Sequence, residues 1–460
     1  MSKSKMTEEI IKKNESVSRV FWRFAIPSVA AMLINGLYQI IDGIFVGHYV
    51  GYAGLAGINM AWPIIATVMG FGILIGMGAG SLLSMFRGER QFQKAALVLQ
   101  TSIGLTIVFS LISMPIVAIW GKELLILQGA MGDSLLHGND YLKVFIYSAP
   151  AAIASAVIPM LVRNDNSPKI ATTLTIIGAV LNIVLDYLYI GVLAQGLQGA
   201  AIATAWSQSV VILLGIIYFL SHHAEIRLTR LAFDMKKAIR ICHLGASSMV
   251  MFAYFSFVIA LHNRLLMEYG SEVHVGAFAI IGYIATMYYL FAEGIASGMQ
   301  PPISYDFGEQ RYHRIKGTLM LALKVVLISG IITVALLVVF PEFFIRWFSD
   351  STELIATAVA GMRLHLCALF LDGVLFLASV YFMAVGKAGK AMFVSIGNMV
   401  VQLPFLFFVP QWLGVDGVWL AVPMSNVVLT LVVVPMLWKD LTILMSKKVV
   451  INDATTVTTS

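Results

Sequence analysis

The stretch Ile176-Ile177-Gly178-Ala179-Val180-Leu181-Asn182-Ile183-Val184-Leu185-Asp186-Tyr187-Leu188-Tyr189-Ile190 decides how this chain is read. It is largely apolar, and its amide and its carboxylate stand four residues apart, on one face of a helix. In water that would be unremarkable. In a bilayer, an ionised group near the middle of a helix costs about 2.5–3.5 kcal/mol on insertion scales, and such groups mark ion or substrate paths.

The composition places the stretch in lipid. Of 460 residues, 59% are hydrophobic and only 12% charged, and the mean hydropathy is +0.88. An average soluble protein carries roughly 25% charged residues. The apolar runs approach or exceed the ~20 residues that a helix needs to cross the hydrocarbon, too long for the alternating strands of a barrel. The expected fold is therefore an all-α polytopic membrane protein. Twelve transmembrane helices are expected, centred near Asn35, Val68, Phe109, Ile153, Leu181, Val210, Phe255, Tyr289, Gly330, Phe370, Val401 and Val427.

The first apolar run carries Pro27 and Asp42 and no small-residue cleavage site, so no cleaved signal peptide is expected. Cys242 and Cys367 are far apart and imply no disulfide framework. The net charge of +6 is explained by position. Arg87, Arg90 and Lys94, Arg163 and Lys169, Arg227 to Arg240, Arg311 to Lys316, and Lys387 with Lys390 follow the even-numbered spans. Lys3, Lys5, Lys12, Lys13, Lys447 and Lys448 lie at the termini. The positive-inside rule then places both termini and the even loops in the cytoplasm, with the chain in the cell (inner or plasma) membrane. Nucleic acid is not an expected partner; membrane lipid is.

The longest basic loop divides the chain. The expected organisation is a cytoplasmic segment at 1–18, a six-helix lobe at 19–220, a linker at 221–240, a second six-helix lobe at 241–440 and a tail at 441–460. An internal repeat relates the lobes: Arg87-Gly88-Glu89-Arg90 matches Phe307-Gly308-Glu309-Gln310. Likewise Leu197-Gln198-Gly199-Ala200, leading to Ala203 and Ser207, matches Val415-Asp416-Gly417-Val418, leading to Ala421 and Ser425. Two like-oriented lobes with a site near the midplane are a transporter architecture. Opposite Asn182 and Asp186, the second lobe offers only Gln402, so the acidic pair belongs to the first lobe.

Polar residues gather in the first lobe. Asn35, Gln39 and Asp42 share one face of span one, with Tyr38 beside them. Thr204 and Gln208 are one turn apart in span six, next to Ser207. Combined with Asn182 and Asp186, they offer two carboxylates, an amide and a hydroxyl. Hard monovalent cations prefer such oxygens, and a proton suits paired, buried carboxylates equally. Na⁺ and H⁺ both remain open as the coupling ion, and no other cofactor is expected. Pro27 breaks the backbone ladder of span one about 22 Å from Asp42, a candidate hinge. In the second lobe, Glu293 and Asp372 are acids within apolar runs, candidates for the substrate cavity or for structural roles. Gly76-Met77-Gly78-Ala79-Gly80 lies within a span with no preceding strand, so nucleotide binding is not expected. No catalytic constellation is visible, and the chain is read as a non-enzyme.

These pieces resemble the multidrug and toxic compound extrusion family over nearly the full length. Ala25-Ile26-Pro27, Gln39-Ile40-Ile41-Asp42-Gly43-Ile44-Phe45-Val46-Gly47, Arg87-Gly88, Leu181-Asn182 through Asp186, Gly199-Ala200-Ala201 with Ala203-Thr204, and Gln300-Pro301 carry the resemblance. It implies a V-shaped pair of six-helix lobes exporting cationic or amphipathic drugs in exchange for Na⁺ or H⁺, with Asp42, Asn182, Asp186 and Thr204 as the coupling cluster. One branch of the family has a glutamate inside span seven. Here Ala246 to Leu266 holds no acid, and Glu268 follows the span. The expected protein is a monomeric secondary antiporter of organic cations working by alternating access. A lipid-linked precursor flippase of related architecture is the alternative, but its cavity would want several Arg or Lys, which here sit mostly in loops.

Overall fold

A computed structural model describes residues 15–128 and 130–457. Most of the expected N-terminal segment, with Lys3, Lys5, Lys12 and Lys13, lies outside the described residues, as does the end of the tail. All regular structure described is helical. Span one is Val17–Tyr49, two Tyr52–Gly88, three Phe92–Leu127, four Gly132–Asn164, and five Pro168–Asp186, continued by a π-helical turn at Tyr187–Val192. Span six is Gly196–Leu220, seven Met235–Tyr269, eight Glu272–Gly308, nine Tyr312–Val339, eleven Ala388–Leu413 and twelve Val415–Val457. Span ten is broken into Thr352–His365 and Leu369–Ala384, bent by 47°. Every expected centre falls in its span. The helix of span twelve runs through the boundary expected at 440, and its apolar part ends at Ser446.

Local chemistry sets the starts. Ser16 accepts from the Arg19 amide to cap span one, Asp234 from the Lys237 amide to cap span seven, and Ser351 from the Leu354 amide to cap span ten. Each side-chain oxygen satisfies an amide that a helix start leaves without a partner. Span five opens on Pro168, whose fixed φ suits a first turn. The turns after spans two and eight are alike, with Arg90 and Gln310 both in the left-handed region at φ 59°.

The repeat becomes physical where the lobes meet. A Cβ on Gly88 would lie 2.1 Å from the Tyr305 carbonyl oxygen, and one on Gly308 would lie 2.1 Å from that of Met85. Residues 88 and 308 differ by 220, as do 85 and 305, so each lobe makes the contact that the other returns, as in an isologous dimer. The same offset relates Gly78, set against the Ile241 backbone, to Gly298, set against Ala25. It also relates Gly294, against Val29, to Leu74, whose carbonyl faces Gly245. Without side chains at these points the helices touch backbone to backbone, the packing that small residues permit in membranes. These approaches reach from the face bearing the basic loops to the middle of the spans. The structure is closed there.

Candidate functional site

Beyond that seam, the first lobe encloses the polar cluster. Asp186 is fully buried and Asn182 is 2% exposed, while Asp42 is half-buried on span one. The Asn182 amide nitrogen donates to the Thr204 hydroxyl at 3.3 Å, joining spans five and six. A Cβ on Gly178 would lie 2.7 Å from Val211, so the missing side chain lets these two spans close on each other. Asp42 and Asp186 feel each other electrostatically. Tyr38 and Tyr141 lie in the field of both, and the Tyr141 hydroxyl reaches Thr204.

Four buried acceptors here have no hydrogen-bond partner: both carboxylate oxygens of Asp186, Oδ1 of Asp42 and Oδ1 of Asn182. An unmatched buried acceptor costs about 1–3 kcal/mol, more when charged. Such acceptors, on two carboxylates that feel each other's charge and on an amide one turn away, suit a positive partner. Among the described residues, no group of three His, Cys, Asp or Glu could hold a metal ion, so a hard monovalent ion or protons fit this donor set better than a transition metal. Asp186 is the last residue before the π-helical turn. Such turns disturb the regular ladder and recur at functional sites.

Not every candidate joins the cluster. Gln39 is exposed, its side chain turned onto Tyr38. Asn35 and Gln208 are half-buried on spans one and six. At Pro27 span one remains one continuous helix, and the Thr172 hydroxyl of span five donates to the Pro27 carbonyl at 2.7 Å. Tyr141, which sequence reasoning missed, comes from span four as a lone hydroxyl in an apolar run.

The second lobe is arranged differently. Asp372 accepts from the Tyr289 hydroxyl at 3.2 Å and from the Asn426 amide at 2.7 Å, so both its oxygens are occupied. Nearby, the Tyr254 hydroxyl donates to Gln402, the residue 220 positions after Asn182. The position 220 after Asp42 is His262, fully buried, bonded through Nδ1 to the Val258 carbonyl and stacked on Phe278. Glu293, half-buried on span eight, has Arg163 of span four as its oppositely charged neighbour across the seam.

On the basic face, Asp165 holds the linker. It accepts from the Tyr218 hydroxyl and from the Glu225 and Ile226 amides at 2.7–2.9 Å. Arg87 pairs with Glu225 and donates to the Asn164 carbonyl. Burial pushes the Asp165 carboxyl up to about 6, against the opposing pull of Arg87 and these donors.

Several known proteins resemble this chain in sequence or fold. The multidrug export protein MepA of Staphylococcus aureus (strain MRSA252) is 26% identical over 408 residues, covering 87% of this chain and 89% of its own. MepA of Staphylococcus saprophyticus is 27% identical over 416 residues, covering 88% and 90%. Among solved structures, an outward-facing multidrug resistance transporter of the MOP superfamily superposes with a TM-score of 0.88 at 21% identity, covering 94% of this chain and 97% of that one. The MatE family pattern matches twice, at residues 27–188 and again at 247–408, an offset of 220 that agrees with the contacts at the seam. The chain belongs to the MatE family of multidrug and toxic compound extrusion transporters.

Proposed function

We infer that this transporter exports amphipathic organic cations from the cytoplasm, driven by Na⁺ or H⁺ moving inward through the first lobe. The observation that carries the reading is the set of unpartnered oxygens on Asp42, Asn182 and Asp186. Thr204 holds Asn182 in place from span six. Both termini and the basic loops face the cytoplasm, as the positive-inside rule requires. With the seam closed on that side, the structure corresponds to the outward-facing stage of an alternating-access cycle. An ion arriving from outside meets Asp42 first and Asp186 behind it.

Asn35 and Gln208, half-buried on spans one and six, and Tyr38 remain candidates for the drug path, and Glu293 offers an acid to a cationic drug near the seam. Occupation of the cluster changes the balance of charge between spans one and five. Span one responds at Pro27, where span five grips its carbonyl through Thr172. The relatives' names as multidrug exporters support the substrate class. A lipid-linked precursor exporter is the less favoured reading: Arg23, Arg87, Arg311 and Arg314, which line a cavity at the basic face, are each paired with an acid there, and near the seam Arg163 has Glu293 as its neighbour.

Ethidium efflux from energised vesicles tests the reading. Asp42→Asn should reduce efflux to the level of vesicles without the protein, with expression intact. Full drug tolerance in cells carrying that variant would sink the proposal. Na⁺ pulses at fixed pH against pH steps without Na⁺ identify the ion.

A further inference from the structure

Away from the cation cluster and the seam, the basic-face end of the second lobe carries an uneven set of charges. Lys387 and Lys390, at the start of span eleven, both donate to one carboxylate oxygen, Oδ1 of Asp440 in span twelve, at 2.5 and 2.6 Å. The Tyr381 hydroxyl of span ten donates to the other oxygen at 3.1 Å. Asp440 is buried, whereas the two lysine side chains are 30% and 37% exposed. A single carboxylate cannot neutralise two ammonium groups, so one positive charge is left over. Each ammonium has three N–H donors, and among the described residues no second acceptor meets either one.

The repeat shows that the scaffold does not require this arrangement. The positions 220 residues earlier are Ser167, Ile170 and Leu220, none of them charged. In the first lobe the corresponding turn is tied instead through Asp165 to the Tyr218 hydroxyl and to two linker amides. Depth and surroundings then point to what the spare charge meets. Trp438, two residues before Asp440, is 55% exposed, and the Lys316 ammonium lies 5.6 Å from its ring centroid. An exposed tryptophan beside a lysine at the end of a span marks the headgroup level of the bilayer. From Lys390 an apolar stripe follows span eleven into the membrane. Phe393, Ile396, Val400 and Leu403 are 37–50% exposed, at intervals of three or four residues that keep them on one helix face.

We propose that Lys387 and Lys390, held together by Asp440, form a clip for the phosphate of an anionic phospholipid, whose acyl chains lie along the stripe that begins at Phe393. The carboxylate brings two ammonium groups close enough to reach one phosphate, and it cancels one of their two charges. A headgroup with a single negative charge is then the matching ligand. A zwitterionic headgroup brings its own cation to the same spot and is disfavoured there. The apolar stripe selects a lipid over a free anion, because a phosphate without chains covers none of it. The clip does not depend on which ion drives export or on what is exported.

Native mass spectrometry of the detergent-purified protein, titrated with defined lipids, tests the clip. Dioleoylphosphatidylglycerol should bind the wild type about fivefold more tightly than dioleoylphosphatidylcholine, roughly what one positive charge at the headgroup level supplies. Lys390→Gln should remove that preference. Lys169→Gln takes one exposed charge from the corresponding turn of the first lobe and should leave the preference within about two-fold of wild type. Asp440→Asn uncovers the second charge and should tighten phosphatidylglycerol binding by about fivefold, which a merely structural tie would not do. Equal binding of the two lipids by the wild type would overturn the proposal. So would equal losses in Lys390→Gln and Lys169→Gln, which would mark a general attraction of the basic face. Displacement of phosphatidylglycerol by millimolar inorganic phosphate would make the site one for a free anion and overturn the lipid assignment. Should Lys390→Gln fail to elute as a folded protein, Lys387→Gln removes the same charge and is read in the same way.

Discussion

The two lobes share a fold, a repeat offset and reciprocal contacts, yet they handle buried polarity in opposite ways. In the first, both oxygens of Asp186 and one of Asp42 lack a donor. In the second, Tyr289 and Asn426 occupy both oxygens of Asp372. Where the first lobe has Asp42, Asn182 and Asp186, the second has His262, Gln402 and Leu406 at the same offset. A duplicated scaffold can therefore leave its buried carboxylates open to an ion in one half and occupy its buried carboxylate in the other, even though His262 Nε2, Gln402 Nε2 and Asn426 Oδ1 of the second half keep no partner. Asymmetry between the lobes comes from which acceptors are left without donors, not from a change of architecture.

The sharpest way to break this comparison is to give the first lobe the second lobe's residue. Asp186→Leu should abolish ion-driven efflux while stabilising the protein by about 2–3 kcal/mol, because a buried carboxylate leaves the membrane interior. Thermal unfolding in detergent together with vesicle efflux would show both. A variant that loses activity and stability together would mean that Asp186 holds the fold rather than the ion. The converse change, Asn426→Leu, removes one donor from Asp372 and should cost about 1–3 kcal/mol by stranding a carboxylate oxygen. Efflux should fall by no more than a few-fold, about what lower stability explains. A loss as complete as that of Asp186→Leu would move coupling into the second lobe.

His262→Phe should change stability by about 1 kcal/mol or less, since losing the Nδ1 bond to the Val258 carbonyl is offset by removing an unpartnered buried Nε2, and the stacking on Phe278 remains. Ethidium efflux should be within two-fold of wild type, roughly the scatter expected of a near-neutral substitution. Greater loss would show that the mate of Asp42 has kept a role. The smallest effect belongs to Asp234, whose carboxyl is held below its ordinary 3.8 by the Lys237 amide and side chain. A depressed pKa adds stability above the unfolded value, which is lost as pH falls through the folded one. Asp234→Ala should thus unfold at a slightly lower temperature at pH 7, and the difference should vanish as pH falls through the depressed folded-state value.

Much of this was legible before any coordinates, for a physical reason. Lipid demands long apolar runs with internally satisfied backbone, so the spans stand out, and a carboxylate such as Asp186 is conspicuous against them. Spacing was a weaker guide to direction. Gln39 shares a helix face with Asp42 by count, yet it is exposed while Tyr38 turns towards the acids. The partners of Asp372 were unreadable, because Tyr289 and Asn426 lie 83 and 54 residues away in the chain. Gly88 and Gly308 were visible as marks of a repeat, but a glycine's purpose depends on what approaches it. Only the packed structure brings the Tyr305 and Met85 carbonyls there.

The linker bears on how such a molecule can move. Asp165 fastens Glu225 and Ile226 to the first lobe, and the Asp234 amide donates to the Thr101 hydroxyl of span three at 3.3 Å. Both ends of the connection are thus held to one side, and between them the Leu228 amide donates to the Phe219 carbonyl at 3.0 Å and Phe233 packs over Gly104. Span seven of the second lobe therefore starts from a mount on the first lobe. Under the alternating-access reading proposed above, bending falls within span seven itself, and Gly245, Ala246, Ser247 and Ser248 are the small residues placed to flex there.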